Sequence, residues 1–194
     1  MVKIGFIVEG NSDVILLKNS KNLKYIFDKY NLDVKDDCIL NARGKFNLKK
    51  HYISLNKKLE KKELNHVFIM LDQDDKEEQK KNKKYKPKDC PLVVIDEIIK
   101  YRDNKNYKFK NVTFIIMTRE LEAWFLADEK LGFDFEGNPE EILNPSKLVG
   151  KKFKSSNHII YTNKLKDKFS LVRASKNAPS AKRFLEKLQE LSNK

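Results

Sequence analysis

The chain is poor in the residues that build disulfides and zinc sites. Its two cysteines, Cys38 and Cys90, are too few for a disulfide framework and lack metal-ligand spacing. The three histidines, His51, His66 and His158, are scattered without the pairing a zinc site needs. No apolar run approaches membrane-spanning length, and the apolar stretch in the opening "MVKIGFIVEG" is shorter than a signal peptide's. A cytoplasmic protein without a membrane partner is the expectation. Glycine-rich phosphate loops are missing too, since "NARGKF" (Asn41–Phe46) carries a single glycine. No serine, histidine and aspartate set supports serine nucleophile chemistry.

Positive charge is abundant and uneven. Of the net charge of +13, the segment from Pro145 to Lys194 carries +10, with thirteen Lys and Arg against three Asp and Glu. That asymmetry points to a polyanion, nucleic acid above all, as partner of the C-terminal segment. The competing reading is a lysine-rich surface that merely solvates. Arg173 and Arg183 are the segment's two arginines, which argues against base-specific readout.

Four apolar runs with abrupt polar endings predict strands over Lys3–Glu9, Asp37–Ala42, His66–Asp72 and Asn111–Thr118. Helical spacing fills the gaps. Val14, Leu16, Leu17, Leu23, Tyr25, Ile26 and Phe27 cover the first, Leu48, Tyr52, Leu55 and Leu59 the second, and "PLVVIDEIIKYRD" the third, with Pro91 at its start. Strands alternating with helices predict an α/β domain with a four-stranded, mostly parallel sheet through about residue 130. Residues 131–194 read as a basic, mostly helical C-terminal extension packing on it, closed by the amphipathic "PSAKRFLEKLQEL". The segment "KEEQKKNKKYKPKD" (Lys76–Asp89) reads as an exposed loop.

Acids cluster where these strands end. Glu9 closes the first strand, with Asp13 within the next helical turn; Asp72, Asp74 and Asp75 close the third; Glu120 and Glu122 follow the fourth in "TRELEAW". The C-terminal ends of parallel strands share the edge where ligands bind. Carboxylates converging there repel one another unless a cation lies between them, and oxygen ligands around an open site suit Mg²⁺ or Mn²⁺. One or two such ions, held by Glu9, Asp13, Asp72, Asp74, Glu120 and Glu122, are therefore expected. Taken singly, Asp13 could be a helix-start residue and Asp74 a plain loop residue.

The Glu9-Gly10 turn after the first strand and Asp72-Gln73-Asp74 after a later one resemble the Toprim family of topoisomerases, primases and small nucleases. "EGNSD", "RELEAWFLAD" and "APSAKRFLEKL" are similar to segments of the overcoming-lysogenization-defect nucleases and of the small stand-alone Toprim-like proteins near them. The resemblance implies a Toprim-like, Rossmann-like domain and metal-dependent hydrolysis of DNA or RNA phosphodiesters, in phage defence or nucleic-acid processing. It implies Glu9, Asp72 and Asp74 as catalytic carboxylates. It also suggests a late lysine, here Lys176, facing the phosphodiester. The alternative is a non-catalytic nucleic-acid-binding or adaptor protein of the same fold acting with a separate ATPase. A haloacid-dehalogenase phosphatase or a response-regulator receiver fits less well, because each pairs acids at the first strand, where Glu9 has no partner.

Lys45, after the second strand, is a candidate phosphate contact, as are Arg173, Lys176, Lys182 and Arg183. Trp124, Phe125 and Leu126 read as buried core rather than a base-stacking platform. In "TRELEAW" a regular helix from Thr118 would set Glu120 and Glu122 about 200° apart. The expectation is an irregular backbone there, with Glu120 nearest Asp72 and Glu122 within its reach.

Overall fold

The computed structural model describes residues 1–45, 47, 48, 51, 52, 54, 57, 62–73, 91–104 and 111–192. Asp74, Asp75, Cys90, Leu55, Leu59 and the predicted loop Lys76–Asp89 lie outside them.

Four strands form one parallel sheet: β1 (Val2–Val8), β2 (Leu32–Asn41), β3 (His66–Gln73) and β4 (Val112–Thr118), in the order β2-β1-β3-β4. β2 starts earlier than its apolar pattern suggests. In its charged first half, "LDVKDD", Leu32, Asp33 and Val34 pair with the start of β1, and Lys35, Asp36 and Asp37 fall where the register shifts between Ile4 and Phe6. Charge of this kind is compatible with a strand because β2 is an edge. The predicted first helix is two: α1 (Asn11–Asn19) and α2 (Lys21–Lys29) break at Ser20, whose Oγ accepts the Leu23 N–H at 3.3 Å and caps α2. Helix α3 (Pro91–Asn104) precedes β4. Leu48 and Tyr52, members of the predicted second helix, are helical and buried.

After β4 come α4 (Leu121–Ala127), α5 (Pro145–Phe153), α6 (His158–Leu165), the short α7 (Leu171–Ala174) and α8 (Pro179–Ser192). Alternation along the strands sends Phe6, Phe68, Met70, Ile115 and Met117 to one face of the sheet and Ile7, Val67, Ile69 and Leu71 to the other. The C-terminal helices share the first core. Phe184 of α8 meets Phe6 and Phe68 edge-on and stacks on Trp124 of α4, with centroids 5.7 Å apart. Trp124 is thus core, as its apolar neighbours suggested. Among the described residues no helix is long and apolar enough to cross a membrane.

The order β2-β1-β3-β4 puts the switch in winding direction between β1 and β3. In open α/β sheets that point, at the carboxyl ends of the strands, is where a ligand crevice opens. Here Glu9 follows β1 and Asp72 lies on β3.

Candidate carboxylate site at the sheet edge

Glu9 and Asp72 meet at this switch point: the Asp72 N–H donates to Glu9 Oε2 at 3.2 Å. Residues 10–13, the end of β3, the start of α4 and residues 157–159 enclose a cleft of about 380 Å³ beside them, lined by Asp13, Asp72, Glu120, Glu122 and His158. Acids from α1, β3 and α4 are therefore brought together.

The tertiary surroundings of each acid differ. Asp13 is buried on α1, and its Oδ2 accepts the Gly10 N–H at 2.9 Å, which ties it to the helix start as well as to the cleft. Burial first, then Glu122 and Glu9 nearby, pushes its carboxyl up to about 7. Gly10 itself is extended, at φ −132°, a conformation open to any residue. Asp72 Oδ1 is sealed from solvent and accepts no hydrogen bond from the described residues. Burial and the charges of Asp13, Glu9 and Glu122 raise the Asp72 carboxyl well above the usual range, with Lys45 opposing them.

The link from β4 to α4 is irregular, as expected, but the glutamate that acts on Asp72 is Glu122 rather than Glu120, whose Oε1 is taken by α5. Arg119 turns at φ +69°, Glu120 is extended, and the helix begins only at Leu121. Glu120 does not cap α4 with its side chain; its Oε1 accepts the Ser146 N–H at 2.8 Å. Burial and the neighbouring Glu122 raise its carboxyl. Glu122 is buried among apolar residues of α4, where its Oε1 accepts from Tyr161 Oη at 2.5 Å and meets His158 Nδ1 at 2.8 Å. That contact raises the His158 imidazole. One ligand atom from each of Glu120, Glu122 and His158 lies within 4.8 Å of the others, so this group could hold a metal ion.

His158, Tyr161 and Ser146 are the parts sequence reasoning missed. His158 lacks zinc-type spacing because its partners are carboxylates 36 and 38 residues upstream, on another helix start. A small signal existed: Asn157 is a capping residue, and its Oδ1 accepts the Ile159 N–H at 3.0 Å, placing His158 at the first position of α6.

Several expected nucleic-acid contacts have other roles. The Lys45 side chain is buried and its Nζ lies 3.8 Å from Glu9 Oε2, so it offsets the carboxylates instead of meeting phosphate at the surface. Arg173 grips the fully buried Asp128 through Nε at 2.5 Å and an Nη at 2.8 Å, and also donates to the Lys168 carbonyl. With Nε and one Nη committed to these contacts, it anchors α7. Lys176, Lys182 and Arg183 line a different cleft of about 790 Å³, against Ile116 and Thr118, which shares no lining residue with the carboxylate cleft. Lys176 is therefore not placed beside the acids. The serine of "APSAKRFLEKL" is structural too: Ser180 Oγ accepts the Trp124 indole N–H at 2.7 Å and donates to the buried Glu140 at 2.5 Å. In comparisons with family models, curated proteins and solved structures the chain matches none, so its functional reading stands on this geometry.

Proposed function

We propose that the protein is a divalent-cation-dependent phosphodiesterase of nucleic acid. One observation carries the reading: Asp72 Oδ1, sealed and without a hydrogen bond from the described residues, sits among Asp13, Glu9 and Glu122 at the sheet's switch point. A buried, unpaired carboxylate oxygen is costly. A cation relieves the cost, and mostly carboxylate donors suit Mg²⁺ or Mn²⁺.

Glu120, Glu122 and His158 would hold one ion, with Asp72, Asp13 and Glu9 beside them. When bound, such an ion supplies the positive charge that activates water and stabilises a leaving oxygen. Tyr161 fixes the Glu122 carboxylate by donating to it, and Glu122 in turn orients the His158 ring through Nδ1. The strand-end acids and the motifs around Glu9 and Asp72 also resemble Toprim nucleases, which favours phosphodiesters as substrate.

Calorimetric titration with Mn²⁺ or Mg²⁺, beside cleavage assays on DNA and RNA with metal and with chelator, tests the proposal. Wild type should bind and cleave only with metal; Asp72→Asn and Glu120→Gln should stay folded and inactive. Metal binding without cleavage of any nucleic acid would favour an adaptor that works with a separate ATPase. Unchanged cleavage in chelator would remove the metal from the chemistry.

A further inference from the structure

Helix α5 positions Glu120, and its exposed face opens on a second cleft. The Ser146 N–H holds Glu120 Oε1, while Ser146 also lines a cleft of about 480 Å³ together with Lys147, Lys151, Lys154, Ser155 and His158. His158 lines the carboxylate cleft as well, so the two clefts meet at one side chain. Lys147 and Lys151 are one turn apart on α5, and Lys154 caps its C-terminus. All three are exposed, and no ion pair among the described residues engages them. Lys152, between them in sequence, turns the other way and donates to the carbonyls of Leu131 and Gly132.

The closed end of this groove depends on close backbone packing. Lys154 turns at φ +50°, and the Ser155 N–H donates to the Gly150 carbonyl at 3.0 Å. A Cβ on Gly150 would lie 2.6 Å from the Ser155 carbonyl oxygen. Only glycine lets the Ser155 backbone fold onto α5 this closely.

We propose that this groove is a phosphodiester-binding subsite, along which the backbone of a nucleic-acid strand passes Lys147, Lys151 and Lys154 and reaches the carboxylates past His158. Residues four apart on a helix are about 6 Å apart along its axis, so the lysines engage neighbouring phosphates rather than one phosphate together. The inference rests on the phosphodiesterase reading of the adjoining cleft. It gives the net positive charge of the C-terminal segment a specific use, on a different surface from Lys176, Lys182 and Arg183. Recognition of the backbone alone is common to DNA and RNA.

The test is fluorescence anisotropy with labelled single-stranded DNA and RNA oligonucleotides in EDTA, which reads binding without cleavage and without any ion. The triple variant Lys147→Gln, Lys151→Gln, Lys154→Gln is compared with Lys24→Gln, Lys29→Gln, Lys35→Gln, which removes equal charge elsewhere. The groove variant should bind at least about ten-fold more weakly, and its log–log salt slope should fall by about 2, at about 0.7 per phosphate contact. The control should shift by less than about three-fold. Thermal melting should be the same for both, because the replaced side chains are exposed. A loss for either polymer supports the subsite and names that polymer. Equal losses in the two triples, an unchanged slope, or a wild type that binds neither polymer would overturn it. So would a loss confined to a Lys176, Lys182 and Arg183 variant. Failure of the metal reading shows separately, as a missing Mn²⁺ response in wild type, and leaves the EDTA comparison intact.

Discussion

The two ends of α4 bury carboxylates in opposite ways. At its C-terminal end Asp128 is fully enclosed, yet each oxygen is matched: Arg173 meets both, and the N–H groups of Lys130 and Ser170 add one each. At its N-terminal end Glu122 is as deeply enclosed, but it faces Asp13, Asp72 and Glu120, and among the described residues its donors are Tyr161 and His158. The first arrangement costs little once formed and ties the C-terminal helices to the sheet. The second leaves negative charge without an equal positive partner. A protein able to satisfy Asp128 so completely keeps its other acids unsatisfied for a reason outside the fold itself. Neutralising the two ends should therefore change stability with opposite signs.

The largest effect should come from Arg173→Ala, which strands the Asp128 charge in the interior. A loss of about 3–5 kcal/mol is expected, measured by denaturant unfolding. Arg173→Lys should recover only part of it, since an ammonium cannot match the two-oxygen contact. Next comes pH. Asp13 and Asp72 have folded-state carboxyls raised above their unfolded values, so the folded state binds more protons and loses stability as pH rises. In EDTA, stability should fall between about pH 4 and pH 7, with a slope of about 1.4 kcal/mol per pH unit for each proton involved. Saturating Mn²⁺ should flatten or reverse that slope, because the ion binds the ionised form. A metal-free protein that grows more stable over this interval would show that the cluster is already neutralised.

Asp72→Asn should sharpen the contrast with Arg173. Removing one of several mutually repelling charges should raise metal-free stability by about 1 kcal/mol at pH 8, while abolishing the gain from Mn²⁺. The smallest effect should follow Tyr161→Phe, which removes the hydroxyl donor to Glu122 at a cost of about 0.5 kcal/mol. The same change should lower metal affinity if Tyr161 orients the carboxylate. Equal metal affinity in both proteins would make Tyr161 a packing residue.

Much of the frame was legible in residues alone. The runs Lys3–Glu9, His66–Asp72 and Asn111–Thr118 read as strands because buried parallel strands are continuously apolar, and their ends placed Glu9, Asp72 and Glu120 on one edge. The first half of β2 was not legible, because an edge strand tolerates the charges that normally mark a loop. The break at Ser20 was also hidden, since the apolar spacing continues almost unaltered across it.

Sequence by itself determined the alternation of strands and helices, the basic C-terminal segment and the irregular link that leads into α4 at Glu120. These follow from local periodicity and from the cost of burying charge, which neighbouring residues reveal. Only tertiary structure decided which charges became partners. It buried Lys45 against Glu9, spent Arg173 on Asp128, and carried His158, Tyr161 and Ser146 from later helices to the acids of α4. Those pairings join residues tens of positions apart. They depend on how α5 and α6 dock on the shared apolar core, a packing choice that no local pattern encodes.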